Sequence, residues 1–120
     1  MKTQEIADKL VNWCRNGQME KCYQELYSPA ILSVESGDGS EATGFEELQK
    51  KGEWWRDTFE VHSMEVGDPV VADNWFTVKF KMDTTHKPSG QRSTESEIAV
   101  YRTENGKITR EEFFYDQPAG

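Results

Sequence analysis

Apolar residues along this chain fall into two periods, and the change between them comes near residue 60. Ile6, Leu10, Trp13 and Cys14 repeat at helical spacing behind Thr3, a candidate N-cap, and predict a helix over residues 3–15 that Asn16-Gly17 ends. Met19, Cys22, Tyr23, Leu26 and Tyr27 resume the spacing at once, so a second short helix follows, and Ser28-Pro29 stops it. Ala30 to Glu35 reads as a strand, and the polar, glycine-rich residues 36–40 read as a loop. Gly44 opens a third helix, with Phe45, Leu48, Gly52, Trp55 and Phe59 on one side.

From Glu60 onward the period is about two, the signature of strands with one wet and one dry face. Residues 60–66 form the second predicted strand, ended by Gly67-Asp68-Pro69, and Val70-Val71-Ala72 leads into the third. There Phe76, Val78, Phe80 and Met82 share one face, while Thr77, Lys79, Lys81 and Asp83 share the other. A turn over residues 85–91, a fourth strand from Ser93 to Thr103, the turn signal Asn105-Gly106 and a fifth strand from Lys107 to Asp116 complete the chain. Three helices followed by antiparallel strands predict an α+β fold: a curved antiparallel sheet, cone-shaped, with its apolar face covered by the three N-terminal helices. The open end of such a cone is a natural pocket.

Composition narrows the picture. A length of 120 residues fits a single domain over 1–120, able to bury one core without metal or disulfides. Aromatic residues make up 12%, placed where a core needs them, so the low mean hydropathy of -0.84 does not signal disorder. A net charge of -8 without clustered Lys or Arg disfavours nucleic acid and anionic lipid as partners. The first residues run straight into a helix without the apolar core of a secretory signal, and no stretch approaches the roughly 20 apolar residues of a membrane span. Cys14 and Cys22 fall on helical stripes and read as buried free thiols, which suits a cytoplasmic protein.

Chemistry-bearing motifs are sparse. The two histidines have neither HxH nor HExxH spacing, so no metal site is expected, and without a P-loop, GxGxxG or GxSxG no cofactor is implied. His62 shares a strand face with Met64 and Val66 by parity, and an imidazole with an ordinary pKa near ~6.5 could act as acid or base there. The alternative is a structural histidine bonded to the neighbouring strand. Glu97 sits among apolar neighbours, where a lone carboxylate is costly unless paired or protonated. A pocket acid near His62, an ion pair to Arg92 or Arg110, or a solvated edge position would each account for it. Tyr101 and Tyr115 could donate to a ligand or simply pack, and Trp55 lies on the apolar stripe of its helix while His86 stands at a turn.

The two opening helices ending in Glu25-Leu26-Tyr27-Ser28, the strand Ile31-Leu32-Ser33-Val34-Glu35, the helix start Gly44-Phe45-Glu46-Glu47-Leu48 and the hairpin Tyr101 to Ile108 together resemble the nuclear transport factor 2-like superfamily, in particular its SnoaL-like branch. The resemblance spans nearly the whole chain and implies a cystatin-like cone. It also implies an apolar or aromatic small-molecule ligand, pairing of two copies through the outer sheet face, and activities that range from isomerases and cyclases to dehydratases and non-enzymatic binders. The ketosteroid isomerase pattern places a base on or next to Glu35. Its oxyanion-hole groups fall near Ala99 and Leu10, neither of which can donate a hydrogen bond from its side chain. In cyclase and epoxide-hydrolase patterns a late acid falls at about Phe113, two residues after Glu111.

That resemblance also bears on the register of the last hairpin. A two-residue turn at Asn105-Gly106 puts Glu97, Ala99 and Tyr101 on one face with Arg110, Glu112 and Phe114; a three-residue loop with a bulge at Gly106 puts them with Thr109, Glu111, Phe113 and Tyr115. The second arrangement unites Glu97 with Glu111, as the family's acids require, and sends Ile98, Val100, Ile108 and Phe114 outward as a dimer patch. The expected site is then His62, Glu97, Glu111 and Glu35 for proton transfer, with Tyr101, Phe113, Tyr115, Trp55 and Met82 against the ligand. Two readings stand at this point. One is a cofactor-free isomerase, cyclase or lyase, and the other is a non-catalytic binding or dimerisation module.

Overall fold

Helix α1 (Thr3–Arg15) buries Ile6, Ala7, Leu10, Val11 and Cys14, the stripe its spacing predicts. The computed structural model describes residues 1–116. Thr3 is the first helical residue rather than the N-cap, and its hydroxyl lies 2.7 Å from that of Thr103 across the core. At the other end Arg15 donates to the carbonyl of Val66 at 2.8 and 3.0 Å and pairs with Asp68, so the helix is fastened at both ends to the sheet.

Helix α2 (Met19–Glu25) stops earlier than expected, and Tyr27 already belongs to strand β1 (Tyr27–Glu35). Pro29 is tolerated there because the pairing with the last strand is interrupted between Tyr27 and Leu32, where no ladder donor is needed. The three-residue strand β2 (Glu41–Thr43) was not anticipated; it is too short to show a period. Helix α3 (Gly44–Thr58) lies over β1, and strands β3 (Phe59–Val66), β4 (Val70–Ala72), β5 (Trp75–His86), β6 (Gln91–Glu104) and β7 (Lys107–Phe114) follow.

The strands make one sheet in the order β2-β1-β7-β6-β5-β3, with β4 also on β5. Its ends do not meet, so the sheet is open. All ladders are antiparallel except β1 with β7, which is parallel and corrects the expectation of a wholly antiparallel sheet. Strands β5 and β6 form the long central ladder, running from Trp75–Arg102 to His86–Gln91. Phe76, Val78 and Phe80 project from it into the core beneath α1, and Tyr101 stacks on Phe76 at 4.6 Å and 15°.

Two bulges set which side chains reach the core. In the final hairpin Asn105 (φ 50°) and Gly106 (φ 74°) form a tight two-residue turn, and Glu104 pairs with Lys107. The extra residue lies further on: Thr103 faces Ile108 and Arg102 faces Arg110, leaving Thr109 unpaired. Glu97, Glu111 and Phe113 therefore share the inner face as expected, though the bulge is at Thr109 and not at Gly106. The same displacement turns Ile108 inward, where it is fully buried, correcting its expected place in the outer patch. In β3 the second bulge falls at His62, between the pairs Val61–Thr84 and Ser63–Asp83.

Candidate functional site

The register of three adjacent strands assembles a polar patch inside the apolar face. Tyr101 on β6 pairs with Glu111 on β7, which pairs with Ser33 on β1; one step along, Ala99, Phe113 and Glu35 align the same way. Glu97 and Tyr115 continue those rows. From above, α3 lowers Lys51 onto the patch, its ammonium 2.9 Å from Glu35 Oε1, 2.8 Å from Ser33 Oγ and 5.1 Å from the centre of the Phe113 ring.

A continuous chain of hydrogen bonds results. Lys51 donates to Ser33, Ser33 donates to Glu111 Oε1 at 2.9 Å, and the Tyr27 hydroxyl forms a short bond with Glu111 Oε2. Glu111 is 2% exposed, and burial holds its carboxyl above the ordinary range even though Tyr27, Ser33 and Lys51 favour the charged form. Burial, then Glu111, likewise raises Tyr27. Glu35 keeps one oxygen on Lys51, while its buried Oε2 has no hydrogen-bond partner among the described residues. Burial, followed by the Glu35 carboxylate, raises the Tyr115 phenol.

Glu97 differs from both. Burial raises its pKa to about 7, Glu35 adds to the rise, and Lys51 opposes it. Beyond the last β6–β7 pair, Ile98–Phe114, the final strand leaves the sheet and a hollow of about 520 Å³ opens, with Glu97, Tyr115, Ser36 and Ser96 among its walls. A carboxyl that changes charge near neutral pH thus borders a space large enough for a small molecule.

The other expected site residues are distributed differently. Phe113 lies beneath Lys51, and Glu35 joins the ion pair behind the hollow. Tyr101 is buried in the core against Phe76, because its row lies deeper under α1 than the hollow reaches. Met82 sits between Met64 and Glu95 on the neighbouring strands, and Trp55 packs 5.5 Å from Phe59. His62 does not share the face of Met64 and Val66. Its bulge breaks the parity, so the ring is exposed on the outer face with Nε2 2.7 Å from the Thr85 hydroxyl. It is not brought to Glu97.

Three participants escaped the sequence reading. Tyr27 continues the helical spacing of Tyr23, and Ser33 carries no signal beyond strand parity with Glu35. Lys51 had a readable one: it lies three residues after Leu48 on the same face of α3, an unusual place for a cation unless it meets an acid. A crevice of about 300 Å³ between α2 and α3, lined by Tyr23 and Leu48 and flanked by the Glu20–Arg56 pair at 3.5 Å, was also unforeseen. Among the described residues no group of three or more His, Cys, Asp or Glu is placed to hold a metal ion, and no helix is long and apolar enough to cross a membrane.

An open sheet under three helices, with acids and a lysine on its inner face, defines a small α+β cone. The chain belongs to the SnoaL-like family, whose domain model matches residues 1–115. A Mesorhizobium loti protein provisionally named a SnoaL-like polyketide cyclase is 34% identical, superposes with a TM-score of 0.91, and is covered over 100% of its length by 96% of this chain. A nuclear transport factor 2-like protein from Burkholderia thailandensis shares the fold at 14% identity, with a TM-score of 0.84 over 97% of this chain and 92% of its own. TerC, solved with polyporic acid, shares it at 16% identity, with a TM-score of 0.72 over 95% of this chain and 91% of its own. No curated protein matches significantly.

Proposed function

We propose that this protein binds an apolar or aromatic small molecule in the hollow at the end of β7 and transfers a proton on it without a cofactor, as an isomerase, cyclase or lyase does. The observation that carries this reading is Glu97, raised to about 7 in the wall of that hollow beside the Tyr115 phenol. A group balanced in this way can take a proton from a substrate carbon and return it to another atom near neutral pH. Tyr115 donates a hydrogen bond to the ligand's oxygen, and the Glu35–Lys51 pair and Glu111 form the fixed background against which Glu97 titrates. His62 has no part, since it faces outward. TerC, which shares the fold and was solved with polyporic acid, supports a small-molecule ligand.

A non-catalytic binding module is the second reading, favoured by one observation: both oxygens of Glu111 are already engaged, by Tyr27 and Ser33, as in a structural network. Ile98 and Phe114, paired and exposed on the outer face, also line the hollow, so a homodimer through that face, the pairing the family resemblance implies, brings a second copy to the mouth of the hollow. The free thiols Cys14 and Cys22 suit the cytoplasm.

Naphthol, a neutral bicyclic phenol, is the test ligand. In a two-dimensional NMR titration it shifts the amides of Glu97, Tyr115 and Ser36, and Glu97→Gln changes its affinity at least about fivefold while His62→Ala does not. Shifts confined to other regions, or equal affinity in all three proteins, overturn the proposal.

A further inference from the structure

Lys51 reaches the sheet from a helix and is positioned by two bonds at once, to Glu35 on β1 and to Ser33, which passes its hydroxyl proton toward Glu111 on β7. Its ammonium also lies over the Phe113 ring, 5.1 Å from the centre, a third contact that holds it in place. We infer that Lys51 is a positioning residue for the acid of the hollow: it commits its charge to Glu35 and, through Ser33, to Glu111, and leaves Glu97 as the carboxyl that exchanges protons with a ligand.

The physical argument is one of unequal shares. Glu35 has a direct cation contact. Glu111 has two hydroxyl donors and reaches the cation only through Ser33. Glu97 receives the field of Lys51 without a bond to it. The groups facing Glu97 or its hollow are Glu35 from β1, Lys51 from α3, Lys79 from β5, Glu111 from β7, Tyr115 and Asp116 just after β7, and Glu95 and Tyr101 from its own strand. In that set Lys51 and Lys79 are the positive charges, and Lys51, on the inner face, offsets the burial and like-charge repulsion that raise Glu97.

The inference rests on the reading of Glu97 as the working acid, and its test needs neither ligand nor turnover. Carboxyl-carbon NMR of protein labelled at the glutamate side chains follows Glu97 against pH in the native chain, Lys51→Arg, Lys51→Gln and Lys51→Met. The charge-removing variants raise the Glu97 midpoint by at least about one pH unit, tenfold in protonation at a given pH, and Lys51→Arg restores it. Lys51→Gln keeps hydrogen-bond donors toward Ser33 and Glu35, so it remains informative should Lys51→Met not fold. A Glu97 midpoint unmoved in either folded charge-removing variant overturns the inference. A midpoint that moves while naphthol fails to bind sinks only the proposed function.

Discussion

Replacing Glu97 with glutamine removes a charge that the fold disfavours, and the consequence depends on pH. The carboxyl's pKa rises from its ordinary 4.5 to about 7 in the folded protein, so the native state binds this proton more tightly than the unfolded chain does. The contribution to stability is complete below about pH 4.5 and declines as pH rises to about 7, by at most roughly 3 kcal/mol. Glu111, also raised, acts in the same direction. Glu97→Gln is therefore expected to be more stable than the native chain at pH 8 and similar to it at pH 4. Urea unfolding at the two values decides, and an identical pH dependence in both proteins contradicts the assignment. At this scale the sequence was partly legible. A carboxylate on a strand's apolar face announced Glu97, but the partners that tune it come from α3 and β1, and no local pattern in either element points across the core to β6.

Elements were legible wherever a period ran without interruption. The stripe of α1 and the alternation of β5 predicted their own buried faces, because each is long enough to repeat its pattern several times. Bulges are where that reasoning failed. The residue inserted at His62 reversed the parity upstream of Met64, and the one at Thr109 sent Ile108 into the core, because a bulge costs the sequence no characteristic residue. The face of Glu111 was nevertheless placed correctly, since a bulge anywhere between the turn and Arg110 gives the same register beyond it. The turn itself is strictly determined. Gly106 has φ +74° and an added Cβ would lie 2.8 Å from the Met1 nitrogen, so Gly106→Ala is expected to cost about 1–2 kcal/mol. A thermal or urea midpoint equal to that of the native chain would show that the turn relaxes without strain.

Across the whole molecule, the open sheet leaves its outer face without helices, and exposed Ile98 and Phe114 lie side by side there. Under the proposed pairing a second copy buries that patch, and the double substitution Ile98→Lys, Phe114→Lys is expected to shift sedimentation from dimer to monomer while preserving the far-ultraviolet spectrum. A native chain that sediments as a monomer at high micromolar concentration contradicts the pairing. The order of elements was legible at this scale because three helical periods precede five alternating ones. The hollow was not, since it arises where β7 parts from β6 and its walls belong to both faces of the sheet.

Carboxyl-carbon NMR of the native chain between pH 3 and 9, with the resonance assigned by its loss in Glu97→Gln, tests the central assignment most directly. A midpoint close to 7 for Glu97 is the predicted result. A midpoint for Glu97 near its ordinary 4.5 would contradict it.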